Sequence, residues 1–244
     1  MTKVLVISDV HANITALEAV LADAGKVDEV WCLGDIAGYG PDPNECIERI
    51  QDLPKLTCMM GNHDYGAIGN SALETFNVDA KKALLWQRDI LTDDSKKFLR
   101  TLSQEPRVTG SVTLVHGSPR DPIWEYVMNT MVARINLAYF ETLWCFVGHS
   151  HFQAVFQYHS ETDDVSIEVP RPPDSYVLKE RALLNPGSVG QPRDRDPRAA
   201  YAIFHPKEKT WEPRRVEYDI QSVQKRILDA GLPPRHAERL SGGW

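Results

Sequence analysis

Short runs of contiguous apolar residues, each ending in polar residues and glycine, set the rhythm of the N-terminal part of the chain. The run "VLVI" (Val4 to Ile7) is β-branched and unbroken, as expected for a strand buried on both faces. Asn13 then stands as the cap of a helix whose apolar positions Ile14, Leu17, Val20 and Leu21 follow helical spacing, and Gly25 stops it. A second strand, "EVWCL", follows almost at once. Beyond the glycine and proline loop "GDIAGYGPDP", Asp42 and Pro43 read as N-cap and first residue of the helix "PNECIERIQDL". A third strand, "LTCMM", runs into "GNHD". This β-α-β-α-β order predicts parallel pairing with right-handed crossovers, which gathers functional loops at the carboxyl ends of the strands.

From Asn77 the segments "NVDAKKALLWQRDIL" and "TDDSKKFLRTL" have the spacing of two amphipathic helices, the second with a capping pattern from Thr92 to Ser95 that lacks its usual Glu. The pattern then turns strand-rich: "VTLVH", "LWCFVG", "QAVFQYH", "VSIEV", "ALLNPG" and "AAYAIFH", with a helix over Met131 to Tyr139 between the first two. The polar "SETDD" reads as a hairpin connection. Near the end, "IQSVQKRILDAGLPP" has helical spacing, a stop at Gly231 and Pro233 beyond it. Two facing sheets with helices outside would bury these runs. No internal repeat is present, and "PRPPDS" is too short to divide the chain. The expected organisation is one domain over residues 1–218, with residues 219–244 as its C-terminal helical appendage.

Composition narrows the function. With 244 residues, 42% of them hydrophobic, the chain can build a full core. A net charge of -7 and a pI near 5.6 give no basic field for bulk nucleic-acid binding, so an anionic substrate needs local positive charge from a metal or an arginine cluster. Cys32, Cys46, Cys58 and Cys145 show no C-x-x-C pairing, which reads as reduced thiols. The first apolar run is too short for a signal peptide or a membrane span. The expectation is a cytoplasmic protein without membrane contact.

Five of the eight histidines fall in loops directly after predicted strands: His63, His116 and His149 stand beside glycine, aspartate or asparagine, and His11 stands two residues from Asp9 and Asn13. The first strand delivers "SDVHAN" with Asp9 and His11, and the second "GDIAG" with Asp35. The third gives "GNHD" with Asn62, His63 and Asp64. Later strands give "VHGS" with His116 and "GHSH" with His149 and His151. Any one of these fragments suits a polar turn. Five in succession, each at a strand end on one rim, would ring a single point with carboxylates, a carboxamide oxygen and imidazoles. That mixed donor set suits divalent metals.

In this order the motifs "DVH", "GDIAG", "GNHD", "VHGS" and "GHSH" resemble the calcineurin-like metallophosphoesterases over about the first 150 residues. "LLNPGSVGQPRD" extends the likeness toward the small bacterial and archaeal phosphodiesterase branch. The resemblance implies a four-layer α/β/β/α sandwich, with two mixed β-sheets flanked by helices. It implies two divalent ions per chain, manganese foremost, with iron, cobalt, nickel or zinc also suited to the donors. By position, Asp9, His11 and His151 would ligate one metal, Asn62, His116 and His149 the other, and Asp35 both. Such a pair would activate a bridging hydroxide for in-line attack on phosphorus. His63, left without a metal, would stabilise phosphoryl oxygens or protonate the leaving oxygen. Asp64 would either orient His63 or cap the following helix.

One departure from the family bears on the substrate. In the protein serine/threonine phosphatases and symmetrical dinucleoside tetraphosphatases, the second motif continues with a phosphate-gripping arginine. This chain has Gly38, Tyr39 and Gly40 there, which argues against both activities. Arg193, Arg195 and Arg198 are candidate replacements, though alternation with Asp194 and Asp196 also fits a solvated turn. Tyr39 would stack on a base or an aryl group, or cover the loop. The function so implied is hydrolysis of a small phosphodiester or nucleotide-like substrate. Asymmetrical dinucleoside polyphosphate hydrolysis and phosphomonoester hydrolysis are the alternatives within that class. A scaffold without turnover is the alternative of another class: a retromer subunit with a similar fold is one, and it lacks the "GNHD" histidine that this chain has. A homo-oligomer is compatible with all of these.

Overall fold

The run Val4–Ile7 forms strand β1, and its unbroken apolar character matches burial on both faces: Val4 and Val6 point between two sheets, while Leu5 and Ile7 pack under helices. The computed structural model describes residues 2–69, 71–171 and 173–244. Strands β2 (Glu29–Cys32) and β3 (Thr57–Cys58) extend β1 in parallel. On the other side of β1, β11 (Ala199–His205), β12 (Thr210–Val216) and β9 (Tyr176–Val177) add antiparallel strands, giving the order β3-β2-β1-β11-β12-β9. The second sheet has the order β4 (Arg107–Thr109), β5 (Val112–Leu114), β6 (Trp144–Phe146), β10 (Ala182–Asn185), β7 (Ala154–His159), β8 (Asp164–Glu168). Within it β5, β6 and β10 run parallel, so both sheets are mixed, as expected.

Three apolar layers separate these sheets and their helices. Trp31, Trp144, Phe146, Phe204 and Trp211 fill the space between the sheets, with ring centroids of Phe146 and Trp211 4.7 Å apart. Helices α1 (Ile14–Ala24) and α2 (Pro43–Gln51) cover the first sheet through Leu17, Val20, Ile47 and Ile50. Helix α3 (Asn62–Ala67) leads to α4 (Val78–Ile90) and α5 (Asp93–Thr101), which contribute Ala67, Leu84 and Leu99 to the same layer. Helix α6 (Thr130–Asn136) covers the second sheet through Ala133. Two C-terminal helices, α7 (Ile220–Asp229) and α8 (Pro234–Gly242), pack Val223, Ile227, Ala237 and Leu240 against Ala83 and Trp86 of α4.

Several boundaries differ from the sequence expectation, each for a local reason. Asp42 precedes α2, but its carboxylate accepts from Arg226 at 3.0 and 3.2 Å instead of capping the helix. The third strand stops after Thr57–Cys58, because Met59 bridges Ser103 as the chain turns toward "GNHD". Strand β12 was not expected, since "TWEPRRV" is charged and contains Pro213. Strand β9 covers only Thr210 and Trp211, so at Pro213 the sheet has an open edge, where proline is tolerated. Helix α8 was also missed. The prolines read as a stop after α7 instead open a new helix, with proline in its first turn.

Candidate metal centre

The carboxyl ends of the parallel strands meet on one rim, and the motif residues meet with them. Asp9 and His11 leave β1, Asp35 leaves β2, Asn62 and His63 open α3, His116 follows β5, and His149 and His151 follow β6. All are buried, at no more than 5% exposure. Asp9, His11, Asp35, His149 and His151 all take left-handed backbone conformations, with φ between 48° and 63°. Each such residue costs on the order of 1 kcal/mol, and such clustering is typical of functional sites. Cross-strand bonds hold the turns in register: the Asp9 amide donates to the Gly34 carbonyl at 3.0 Å, His11 to Asp35 at 2.9 Å, and Gly148 to His116 at 2.8 Å.

Backbone carbonyls set the tautomer of each imidazole. The Nδ1 atoms of His11, His116 and His151 lie 3.0, 2.9 and 2.6 Å from the carbonyls of Ala37, Leu33 and Gln191. A carbonyl only accepts, so these nitrogens carry the proton and Nε2 is left with a lone pair. His149 is reversed. Its Nε2 donates to the Trp124 carbonyl at 3.2 Å, which leaves Nδ1 free. Burial holds all four rings below the ordinary histidine range, His11 at about 3, so they are neutral near pH 7.

Those free lone pairs point at one another. His11 Nε2 lies 3.0 Å from His151 Nε2, and His116 Nε2 lies 3.2 Å from His149 Nδ1 and 3.2 Å from Asn62 Oδ1. Neither histidine pair can share a hydrogen bond when every proton is committed to a carbonyl. The carboxylates add to the mismatch. Asp9 Oδ1 sits 3.2 Å from His151 Nε2, Asp35 Oδ2 sits 3.5 Å from His116 Nε2, and neither oxygen has a hydrogen-bond partner. Burial, then the charges of Asp9 and Asp64, pushes the Asp35 carboxyl well above the ordinary range. A cation resolves all of this. Donors bound at 2.0–2.2 Å to one ion stand about 3.0–3.5 Å from their neighbours, which is the spacing found here. The groups Asp9–His11–His151 and Asp35–His116–His149 each bring three ligand atoms within 4.8 Å, so the residues fit divalent metal.

His63 and Asp64 part company. The Asp64 carboxylate accepts the amides of Asp35, Ala37 and Gly61 at 2.8, 2.9 and 3.1 Å, which makes it the brace of the Asp35 loop and the capping partner of α3. It makes no hydrogen bond to His63, so of the two roles weighed for it, orientation of His63 is not the one the geometry gives. His63 instead donates its backbone amide to Asp35 Oδ1 at 2.8 Å, and its Nδ1 has no partner. Its ring packs edge-on to His11 at 4.9 Å and to Phe76 at 4.8 Å, and is tilted against Tyr39 at 4.4 Å. Gly38 makes room for it: at φ +99°, an added Cβ would lie 2.4 Å from His63 Nδ1 and 3.0 Å from His11 Nδ1. Gly38→Ala is therefore expected to displace His63 and lower kcat by on the order of 100-fold, the effect of a 1 Å misplacement, in steady-state assays.

Of the three arginines in "PRDRDPR", Arg193 reaches the centre. Its Nη2 donates to Tyr39 Oη at 3.1 Å and Gln191 Oε1 at 3.0 Å, and its guanidinium lies 5.5 Å from the Tyr39 ring centroid. Arg198 is held by Asp196 at 2.6 Å, and the Arg195 side chain is exposed. The Tyr39 ring stands 4.6 Å from that of His11 and 5.0 Å from that of His236. An aromatic wall escaped the sequence reading. Tyr126 stacks on His149 at 3.8 Å and 17°, and Trp124 meets Phe76 at 5.6 Å. The only trace of it was the spacing of the two aromatics in "IWEYV", just beyond "VHGS".

Comparison with known proteins bears on the family and the fold. Residues 2–209 match the calcineurin-like phosphoesterase superfamily domain. An uncharacterized protein of Methanocaldococcus jannaschii is 40% identical over 246 aligned positions, covering 98% of this chain and 97% of that protein. The crystal structure of a metallophosphoesterase from Sphaerobacter thermophilus is 43% identical with a TM-score of 0.92, covering 100% of this chain and 99% of the other. A hypothetical protein from Pyrococcus horikoshii OT3, 20% identical over 100% of this chain and 99% of its own, shares the fold with a TM-score of 0.81. Among the described residues no helix is long and apolar enough to cross a membrane. The sandwich, the donor set at its strand ends and these likenesses lead to one assignment: the chain belongs to the calcineurin-like metallophosphoesterase family.

Proposed function

We propose that the protein is a dinuclear-metal phosphoesterase that hydrolyses a small phosphodiester or nucleotide-like substrate. The observation that carries this reading is the set of facing lone pairs and partnerless carboxylate oxygens around Asp9 and Asp35. Asp9, His11 and His151 would hold one ion and Asn62, His116 and His149 the other, with the Asp35 carboxylate shared. Bound there, two divalent cations supply Lewis-acid polarisation of the phosphoryl group and a water acidic enough to ionise near neutral pH. The chain's own residues supply orientation. The carbonyls of Ala37, Leu33, Gln191 and Trp124 fix the four rings, as outer-shell partners do in other metal sites.

His63 lies at the edge of the centre, its ring held neutral chiefly by burial. A neutral imidazole acts best here as a hydrogen-bond donor to a phosphoryl or leaving oxygen. Arg193 beside Tyr39 provides a guanidinium from a different loop than the one that carries it in the related phosphatases. Tyr126 and Trp124 offer flat faces for a base or an aryl group.

The test is hydrolysis of bis-p-nitrophenyl phosphate with added manganese, together with metal analysis of the purified protein. Turnover that disappears with chelator and returns with metal supports the reading. Two tightly bound ions with no turnover under any divalent metal would favour a scaffold. Protons and metal also compete for the centre. The Asp35 carboxyl holds its proton above the ordinary range in the metal-free fold, and a cation must displace it, so affinity rises with pH through that shifted value. The manganese-induced rise in Tm is therefore expected to be larger at pH 8 than at pH 5 in differential scanning calorimetry. An equal rise at both would contradict the assignment of Asp35 as a ligand.

A further inference from the structure

We propose that Arg193, Arg239 and Arg235 form a subsite for a second anionic group of the substrate, of the phosphate class, beside the metal centre. The inference rests on the reading that the scissile phosphate sits at that centre. Gln191 Oε1 accepts from Arg193 Nη2 at 3.0 Å and from Arg239 Nη1 at 3.3 Å, so two guanidiniums converge on one neutral oxygen. Arg239 Nε donates to the main-chain oxygen of Trp244, the last residue, at 2.6 Å, while Arg235 lies over the Trp244 ring at 5.9 Å. Among the described residues no Asp or Glu side chain lies within 4.0 Å of any of these three guanidiniums. Arginines of adjoining segments are paired: Arg198 with Asp196, Arg215 with Asp194, and Arg226 with Asp42. Arg193 and Arg239 are half-buried and Arg235 is exposed, and guanidiniums gathered without an acidic side chain between them are poised for an anionic ligand.

The surroundings agree. Arg235, His236 and Arg239 line an open cleft of about 340 Å³ with Asn77, Val78 and Asp79. Among the described residues that line it, Asp79 is the acidic side chain against the two arginines. His236 also lines the smaller cavity next to His11, Tyr39 and Gln191, which places the cleft against the loops of the metal centre. Its Nε2 is held by the Asp79 carbonyl at 3.2 Å, and its buried Nδ1 has no partner. Burial, then the nearby Arg193, brings Arg239 down to about 10, the repulsion an anion between them would relieve. A substrate spanning both places carries two phosphate groups, as a nucleoside polyphosphate does and a simple diester does not.

Calorimetric titration of the manganese-loaded protein with methylphosphonate and with propane-1,3-diphosphonate tests this without turnover. The wild type is expected to bind the diphosphonate at least about tenfold tighter, the scale of one charge-assisted hydrogen bond. Arg239→Ala and Arg235→Ala should each erode that preference, and Arg239→Lys should keep part of it, with Tm confirming that each variant is folded. Equal binding of the two probes by the wild type would overturn the proposal. So would a preference that survives Arg239→Ala, since it would then belong to the metals alone, or a variant that loses both probes equally. Absence of metal-dependent hydrolysis alongside the expected binding pattern would instead count against the phosphoesterase reading.

Discussion

Asp35→Asn is expected to lower kcat/KM by more than about 100-fold, beyond the loss seen when even an outer-shell partner of a metal ligand is removed. The substitution keeps Oδ1 as acceptor for the His63 amide, so the loop geometry has no reason to change. It removes a carboxylate oxygen placed between the two histidine clusters, with Oδ2 3.7 Å from His11 Nε2 and 3.5 Å from His116 Nε2. Metal content should fall with activity. Stability should move the other way. The folded-state pKa of Asp35 is raised, so in the metal-free protein its ionisation opposes folding increasingly as pH rises through that shifted value. An uncharged amide escapes this penalty. The metal-free variant should therefore match or exceed the wild type in Tm at pH 8, while losing the rise that manganese gives the wild type. Full activity with unchanged metal content would remove Asp35 from its assigned role.

His63→Ala is the second large effect, and it separates chemistry from metal binding. His63 offers a ring to the centre but shares no proton with the other imidazoles, and its Nδ1 is without a partner. Losing a hydrogen-bond donor aimed at developing charge costs about 10²- to 10³-fold in kcat. Both ions should stay bound, because the atoms of Asp9, His11, Asn62, Asp35, His116, His149 and His151 are untouched. A loss confined to kcat, with KM little changed, would mark a group acting in the transition state. Loss of one metal from the variant would instead make His63 a ligand, as its proximity to His11 and Asp35 allows.

Much of the molecule follows from local pattern. β-branched runs such as Val4–Ile7 cannot satisfy their faces except inside a sheet, and a glycine-flanked polar turn must follow where the strand meets solvent. The caps at Asn13, Asn77 and Thr92 are local too, because each side chain bonds amides within its own first turn. The candidate donors were legible for the same reason: each sits two to five residues beyond a strand that the pattern identifies. Strand β12 was hidden because its charged residues and Pro213 suit an edge, and being an edge is a property of the neighbours. Helix α8 was hidden because prolines that end one helix can also begin the next.

What the sequence determined by itself was the order of the main core strands and helices and the candidate donors at the strand ends, since both depend on interactions within a few positions. Tertiary structure alone decided how those residues are used. Asp64 turned from His63 to the amides of Asp35, Ala37 and Gly61, because the Asp35 loop has buried donors that only a neighbouring strand end can satisfy. Arg193 was singled out from Arg195 and Arg198 by the loop after β10, which aims it at Tyr39 and leaves Arg198 to Asp196. Arg239 and Tyr126 joined the site from segments that carry no motif. Long-range packing places such residues, and no short stretch of chain records where its partners will be.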